Sequence, residues 1–336
     1  MSFSEIAGNR KVIELLEKGV RGDALFPSLI FYGKEGVGKK LTAMTMAKGF
    51  NCESGIDVPC NRCRTCRTID SLNCPDVQLI LPEFYDSRVE DEKKSRSLKI
   101  DQIRNLIDNI HFRPYSSRKK VYVIDHAETL TEESSNALLK TLEEPPGYAV
   151  IILLTTAYHS LLPTIRSRCW GLAFNPIPSR EIEDFLIRKK GFEQSKARKL
   201  SILSEGSLGK ALQEDLEDFI GRSEKLMALV EEASQGKLAG AMRWGDEMQK
   251  DVEKFQRDLN ILSSLFRDII VLREAKDRSF LINENLTERL MQQQDRLAEK
   301  ALSLLEIIEE VKESLNLNIN KKIAAERILF ELSLSL

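Results

Sequence analysis

The apolar run LIFY, residues 29–32, leads into GKEGVGKK, residues 33–40, and then into the helical stretch LTAMTMAKGF, residues 41–50. Strand, glycine loop and helix N-terminus in that order form a cradle for phosphate. The glycines let backbone N–H groups converge on its oxygens, and the helix dipole adds positive potential. Three further β-rich runs, Val77 to Leu81, Val121 to Ile124 and Val150 to Leu154, extend the pattern. Near-continuous apolar strands separated by helical patterns predict a parallel α/β sheet covered on both faces. In KIDQIRNLIDNIHFRP, Ile100, Ile103, Ile107 and Ile110 fall on one helical face, and Pro114 stops continuation. In TLTEESSNALLKTLEEPP, Thr129 and Glu132 can form a capping box, and Pro145 with Pro146 ends the helix. Residues 86–99, DSRVEDEKKSRSLK, have no apolar period and read as a solvated loop.

After Pro178 the strand signals stop. Phe255, Leu259, Leu262, Phe266 and Ile269, at spacings of three and four, typify the amphipathic helices that follow. Gly206 and ASQGKLAG, residues 233–240, are the expected breaks. They divide the chain into an α/β domain (1–177), a small helical domain (178–235) and an all-helical domain (236–336), with no long internal repeat. A length of 336 residues, 42% hydrophobic and 30% charged, gives ample core for two or three domains and excludes a disordered chain. The formal charge of −2 supplies no global attraction for nucleic acid, so any DNA contact must come from a local patch or a partner. MSFSEIAGNRK lacks an apolar leader and the run Ala149 to Leu154 is too short to cross a bilayer, so a cytoplasmic protein is expected.

The phosphate loop has departures. Gly33, Gly36, Gly38 and Lys39 fit the cradle, but Lys40 stands where a Ser or Thr hydroxyl would ligate Mg²⁺. Asp125, after VYVI, fits the second ligand, an aspartate at a strand end. An ammonium at position 40 repels the metal, and Thr42 faces another side of the helix. The residue after Asp125 is His126, where many such ATPases place a glutamate; Glu128 would need another geometry. The Mg²⁺ site is at best half built. The alternatives for Asp125 and His126 are a plain strand-end residue and a surface histidine.

Cys52, Cys60, Cys63 and Cys66 lie within fifteen residues as C-x7-C-x2-C-x2-C. In a reducing compartment such spacing points to a metal, and four thiolates close a tetrahedral Zn²⁺ site with no open position, hence a structural one. Arg62, Arg64 and Arg67 interleave the cysteines and read as a solvated face, while Cys74 and Cys169 stand apart as ordinary thiols.

GKEGVGKK, the four cysteines, NCPDVQLI, KIDQIRNLIDNI, KVYVIDHAETLTEESSNALLKTLEEPP and TIRSRC together resemble bacterial DNA polymerase III clamp-loader subunits of the AAA+ superfamily, the delta′ type most of all. The match is dense from about residue 5 to 215. Beyond it, the helical character and NLNINKKIAAERILFEL resemble the family's collar domain. The resemblance implies an AAA+ domain with a zinc module, a helical lid, and a collar that joins a five-subunit ring with gamma/tau and delta subunits. That ring loads the sliding clamp on primed DNA. By the same resemblance, Arg168 of SRC reaches the ATP of a neighbouring subunit, where a guanidinium stabilises transition-state charge. The family's lid motif GSxR is GSLG here, with Gly209 in the arginine slot.

Lys40, His126 and Gly209 weaken ATP binding and hydrolysis by the chain itself, while Arg168 is kept. The pattern implies a scaffold subunit without independent catalysis inside a DNA-synthesising complex. One alternative is a gamma/tau-type motor using Thr42 and Glu128 in displaced geometry. A stand-alone P-loop kinase with a zinc lid explains neither SRC nor the helical C-terminal half.

Overall fold

A computed structural model describes residues 2–22, 27–55, 58–85, 95, 97–249, 251–275, 280–315 and 320–333. The chain divides into two compact units, residues 1–212 and 213–336. In the first, helix α1 (Arg10–Gly22) precedes β1 (Ser28–Tyr32), α2 (Lys39–Asn51), α3 (Arg64–Asp70), β2 (Val77–Ile80), α4 (Ile100–Ile110), β3 (Lys120–Ile124), α5 (Glu132–Glu143), β4 (Ala149–Thr155), α6 (Pro163–Arg166) and β5 (Trp170–Ala173). The strands form one parallel sheet in the order β2-β3-β4-β1-β5. Alternate residues of each strand point to opposite faces. Leu29, Phe31, Val123 and Ile152 therefore pack against α1, α2 and α3, and Ile30, Tyr122, Ile151 and Leu153 against α4 and α5. Both faces are covered, as the continuous apolar runs require.

The strand β5 has no counterpart among the apolar runs. Only Leu172 of WGLA is buried, because β5 pairs with β1 alone and carries Gly171, whose missing side chain leaves room for the Tyr158 hydroxyl and the Tyr32 ring. The cap of α5 also differs from expectation. Thr131 accepts the Ser134 amide (3.2 Å), whereas the Thr129 hydroxyl donates to the carbonyl of His126 (2.7 Å). The helix ends before Pro145, as the steric bias of a residue preceding proline dictates. Of the mixed-charge stretch 86–99, residues 86–94 and 96 lie outside the described residues; Leu98 within it is fully buried, bridged to Leu130.

Helices α7 (Ser179–Lys190), α8 (Gln194–Leu203) and α9 (Leu208–Gln213) follow the sheet. Ile177, Ile182, Leu186, Ala197, Leu200 and Ala211 form their small core. The second unit comprises α10 (Leu216–Ser234), α11 (Ala239–Met248), α12 (Val252–Glu274), α13 (Thr287–Ser314) and α14 (Lys321–Ser333). The five apolar residues expected on one face of α12 are all fully buried. Helix α10 packs on α12 and α14 within this unit. Arg222 of α10 grips the buried Asp258 of α12 through both carboxylate oxygens (2.5 and 2.6 Å), and the Trp244 indole donates to the same group (2.7 Å). A buried carboxylate left with fewer partners would be strongly destabilising. No helix among the described residues is long and apolar enough to cross a membrane.

Candidate nucleotide and metal sites

The phosphate loop joins the C-terminal end of β1 to α2. Gly33, Gly36 and Gly38 all have positive φ, open to glycine at little cost. Lys39, the first residue of α2, is almost wholly buried, and its ammonium donates to the carbonyls of Gly33 (2.5 Å) and Lys34 (2.8 Å). Burial lowers its pKa, against the pull of Asp125, Glu128 and Glu35. The lysine is thus bonded to its own loop.

Lys40 and Asp125 meet. The Lys40 ammonium lies 3.3 Å from one Asp125 carboxylate oxygen, and the other oxygen accepts the His126 amide (3.1 Å). The Thr42 hydroxyl is buried and donates to the Gly38 carbonyl (2.8 Å), one helical turn back. These residues do not fit Mg²⁺: the Lys40 ammonium already lies beside the Asp125 carboxylate, and the Thr42 hydroxyl is turned into its own helix.

His126 is not the surface residue that the sequence suggests. In left-handed backbone (φ 53°), it stacks on Tyr85 with ring centroids 3.9 Å apart and planes within 6°. Burial lowers its pKa, but Glu128 at 3.7 Å, together with Asp125 and Glu35, outweighs burial and raises it. Burial likewise opposes ionisation of Glu128, yet hydrogen bonds from His126, Thr155 and Thr156 bring its carboxyl down to about 2. Glu128 is therefore held ionised, facing His126 and accepting from the Thr156 hydroxyl (3.0 Å).

Gly209 touches the loop itself. Its amide donates to the Gly36 carbonyl (2.9 Å), and a Cβ on Gly209 would stand 2.9 Å from the Gly36 Cα. Beside it, the Lys34 ammonium bonds the Glu205 carboxylate (2.6 Å) and carbonyl (3.3 Å). The arginine slot is a backbone clasp. It joins positions 173 residues apart, so nothing in local sequence announces it.

Arg168 lies at the other edge of the sheet. β5 starts at Trp170 in register with Leu29, so Arg168 precedes the N-terminal ends of these strands, whereas Gly33 follows the C-terminal end of β1. At about 3.3 Å per residue, the paired span alone separates them by roughly 13 Å. The guanidinium bonds the Glu143 carboxylate (2.9 Å) and the Thr164 carbonyl (3.1 Å), which brings the SRC and LEEPP stretches together.

The sulfurs of Cys52, Cys60, Cys63 and Cys66 lie within 4.8 Å of one another. Zn–S bonds of about 2.3 Å place tetrahedral sulfurs about 3.8 Å apart, so this set fits a four-thiolate metal. Cys52 caps the C-terminal end of α2, and the buried Lys48 ties that helix to Asn61 (2.7 Å) and Asp70 (2.9 Å). Amides of Cys60, Cys63 and Cys66 donate to the sulfurs of Cys52, Cys60 and Cys63 at 3.3–3.4 Å. Amides of Arg62 and Cys63 bring the Cys60 thiol down to about 6, while burial pushes Cys52 and Cys66 up. Outside the cluster, Cys74 is buried, and burial pushes Cys169 up to about 12.

Residues 8–178, just over half of the chain, match the family described as "DNA polymerase III, delta subunit". The chain belongs to this family. Within the DNA polymerase III delta family and its surroundings, the delta′ subunit of Bacillus subtilis is 29% identical over 328 residues, 96% of this chain and 95% of that protein. The gamma subunit of Buchnera aphidicola is 36% identical over 217 residues, 63% of this chain, and the chain spans little more than half (56%) of that relative's length. Among solved structures, a gamma subunit-related protein of Thermotoga maritima, 21% identical, aligns over 95% of this chain and 98% of its own at a TM-score of 0.45. Family membership bears out the clamp-loader resemblance, and the parallel five-stranded sheet bears out its α/β fold.

Proposed function

We propose that this chain is a delta′-type scaffold subunit of a DNA polymerase III clamp loader. Together with gamma/tau and delta subunits it would complete a five-membered ring in the bacterial cytoplasm that places a sliding clamp on primed DNA. The α/β domain ends at residue 177, a helical lid follows, and the helical unit serves as collar. The observation that carries the reading is the Lys40–Asp125 pair, a cation of the protein's own standing beside the aspartate expected to bind Mg²⁺. Lys39 bonded to its own loop, the hydroxyl of Thr42 turned into its helix, and Gly209 clasped to Gly36 add to it. Together they favour the scaffold over a motor.

Arg168, at the far edge of the sheet from the loop, would serve the ATP of a neighbouring subunit. Its side chain is 30% exposed and its carboxylate partner Glu143 is 58% exposed, so the pair is weak enough to exchange for a phosphate. In the helical unit, Ile323 and Phe330, one face of α14 at a spacing of seven, are more than half exposed and suit a subunit contact. Zn²⁺ held by the four cysteines would pin Cys60, Cys63 and Cys66 to the C-terminal end of α2 and leave no ligand position for catalysis.

The test is ATP hydrolysis by a reconstituted ring. With Arg168→Ala, a loss on the order of a thousandfold at one site is expected, and the isolated variant should melt within a degree or two of wild type. Full ring activity with Arg168→Ala would remove the trans role, and DNA-stimulated hydrolysis by this chain alone would replace the scaffold with a motor.

A further inference from the structure

Of the four clustered cysteines, Cys52 and Cys66 are buried, whereas Cys60 and Cys63 are half-buried. Among the described residues, Cys60 is the member of the cluster that lines a cavity of about 660 Å³. The cavity walls also carry the hydroxyls of Ser2, Ser4 and Ser54, the carboxylate of Glu17 and the guanidinium of Arg62. Glu17 is held by Arg21 (2.8 Å), but among the described residues no carboxylate pairs with Arg62, which is exposed. Such walls can receive carboxylate, amide and ammonium groups, and the volume lies in the range of small-molecule sites. Behind the cavity a second sulfur stands ready. The Cys63 amide donates to the Cys60 sulfur (3.3 Å), the two sulfurs lie within 4.8 Å, and C-x-x-C is a spacing that a disulfide can bridge.

We infer that Cys60 is the entry point at which a small disulfide bearing carboxylates oxidises the cysteine cluster. The Cys60 thiolate attacks one sulfur of the small disulfide, so that a mixed disulfide forms and one small thiolate leaves. The Cys63 thiolate then attacks the Cys60 sulfur, closing a Cys60–Cys63 disulfide and expelling the second small thiolate. Two protein thiolates lose two electrons and the small disulfide gains them, so no further reactant is required. A set with two thiolates left cannot close a tetrahedral site, and the segment of Cys60 and Cys63 is no longer pinned to the end of α2. A dithiol reductant restores both thiols, as a reducing compartment does after a transient oxidation. A peroxide would need neither the volume nor the cation, and would not distinguish Cys60 from the other half-buried ligand, Cys63. Arg62, which the sequence suggests is part of a solvated face, gains a use as the carboxylate's partner. The inference rests on the reading that the four cysteines hold zinc, but on neither the scaffold role nor Arg168.

The test treats the full chain with oxidised glutathione as the probe, following zinc with a colorimetric chelator and each cysteine by peptide mass spectrometry. The first adduct should fall on Cys60, a Cys60–Cys63 disulfide should follow, and zinc should be released in step with it. Arg62→Glu keeps all four sulfurs and should slow the first step roughly two- to fivefold, the range of one exposed ion pair. Its reaction with an uncharged hydroxyethyl disulfide should stay at the wild-type rate. Cys63→Ser should trap the adduct on Cys60. A first adduct on any other cysteine, retention of all four thiols in excess disulfide, or an Arg62→Glu chain that reacts with oxidised glutathione as wild type does would overturn the inference. Zinc absent from the untreated chain would remove the metal reading alone, because the order of adduct and disulfide is read from the cysteines in either case.

Discussion

Helix α2 has a ligand-type site at each end, and the two have met opposite fates. At its N-terminus, Lys39 is bonded to loop carbonyls, Lys40 is paired with Asp125, and Gly36 is clasped by Gly209. The Lys39 and Lys40 ammoniums, the Asp125 carboxylate and the Gly36 carbonyl all have partners inside the chain. At its C-terminus four sulfurs converge, two of them buried, with no cation of the protein among them. Burial opposes ionisation of Cys52 and Cys66 while amides favour it at Cys60, and a positive ion among them would hold the set as thiolates. The N-terminal end of α2 pairs its charges internally, whereas the C-terminal end brings together four sulfurs that could hold a metal ion.

The largest expected effect breaks the second site. Replacing Cys66 by serine, or removing metal with a chelator, should take bound zinc from one equivalent to none by elemental analysis and cost more than about 4 kcal/mol in denaturant unfolding. A metal-free preparation of unchanged stability would end the contrast between the two ends of α2.

The next effect probes the clasp. Gly209→Arg restores the residue of the family's lid motif, yet its Cβ would press on the Gly36 backbone, which no side-chain rotation can relieve. The variant should lose about 3 kcal/mol and gain no affinity for a fluorescent ATP analogue. Tight binding by it would mean that the arginine alone was missing.

These two ends were not equally legible in sequence. The cysteines announce themselves by spacing, because all four ligands come from one short segment. Four of five strands announce themselves by continuous apolar runs, while β5 buries only Leu172 and leaves no pattern to find. The departures at Lys40, His126 and Gly209 are visible as letters, but the contacts these residues make are not. Lys40 meets Asp125, Tyr85 stacks on His126, and Gly36 bonds Gly209, all across distant segments. A signal did exist for one of them. A lysine and an aspartate at the two places that would share one metal ion are a cation and an anion at the same point.

A smaller effect concerns pH at the closed site. With its carboxyl held at about 2 against an ordinary 4.5, Glu128 adds stability above pH 4.5 that is lost as pH falls toward 2. His126, raised from 6.5, adds stability at low pH that is lost as pH rises through its folded value. Glu128→Gln should remove the acid limb, shrink the His126 limb and cost about 2 kcal/mol near pH 6. An unchanged acid limb in the variant's melting curves would show that these two residues do not form the internal pair.

The smallest effect sharpens the comparison most. Lys40→Thr supplies the hydroxyl that a Mg²⁺ site requires and frees Asp125 from its ammonium. The lost pair involves a half-exposed lysine, so stability should change by less than about 1 kcal/mol. Had that lysine been the sole obstacle, the variant would bind ATP tightly in the presence of Mg²⁺ and weakly without it. It should not, because Lys39 remains bonded to the loop carbonyls and Gly209 still closes on Gly36, both untouched by the change at position 40. The measurement is a titration of the variant with ATP, with and without Mg²⁺, by calorimetry. Mg²⁺-dependent affinity in the variant would place the phosphate loop with the cysteine cluster, as a site one residue from use, and would leave the clasp with no part in closing it.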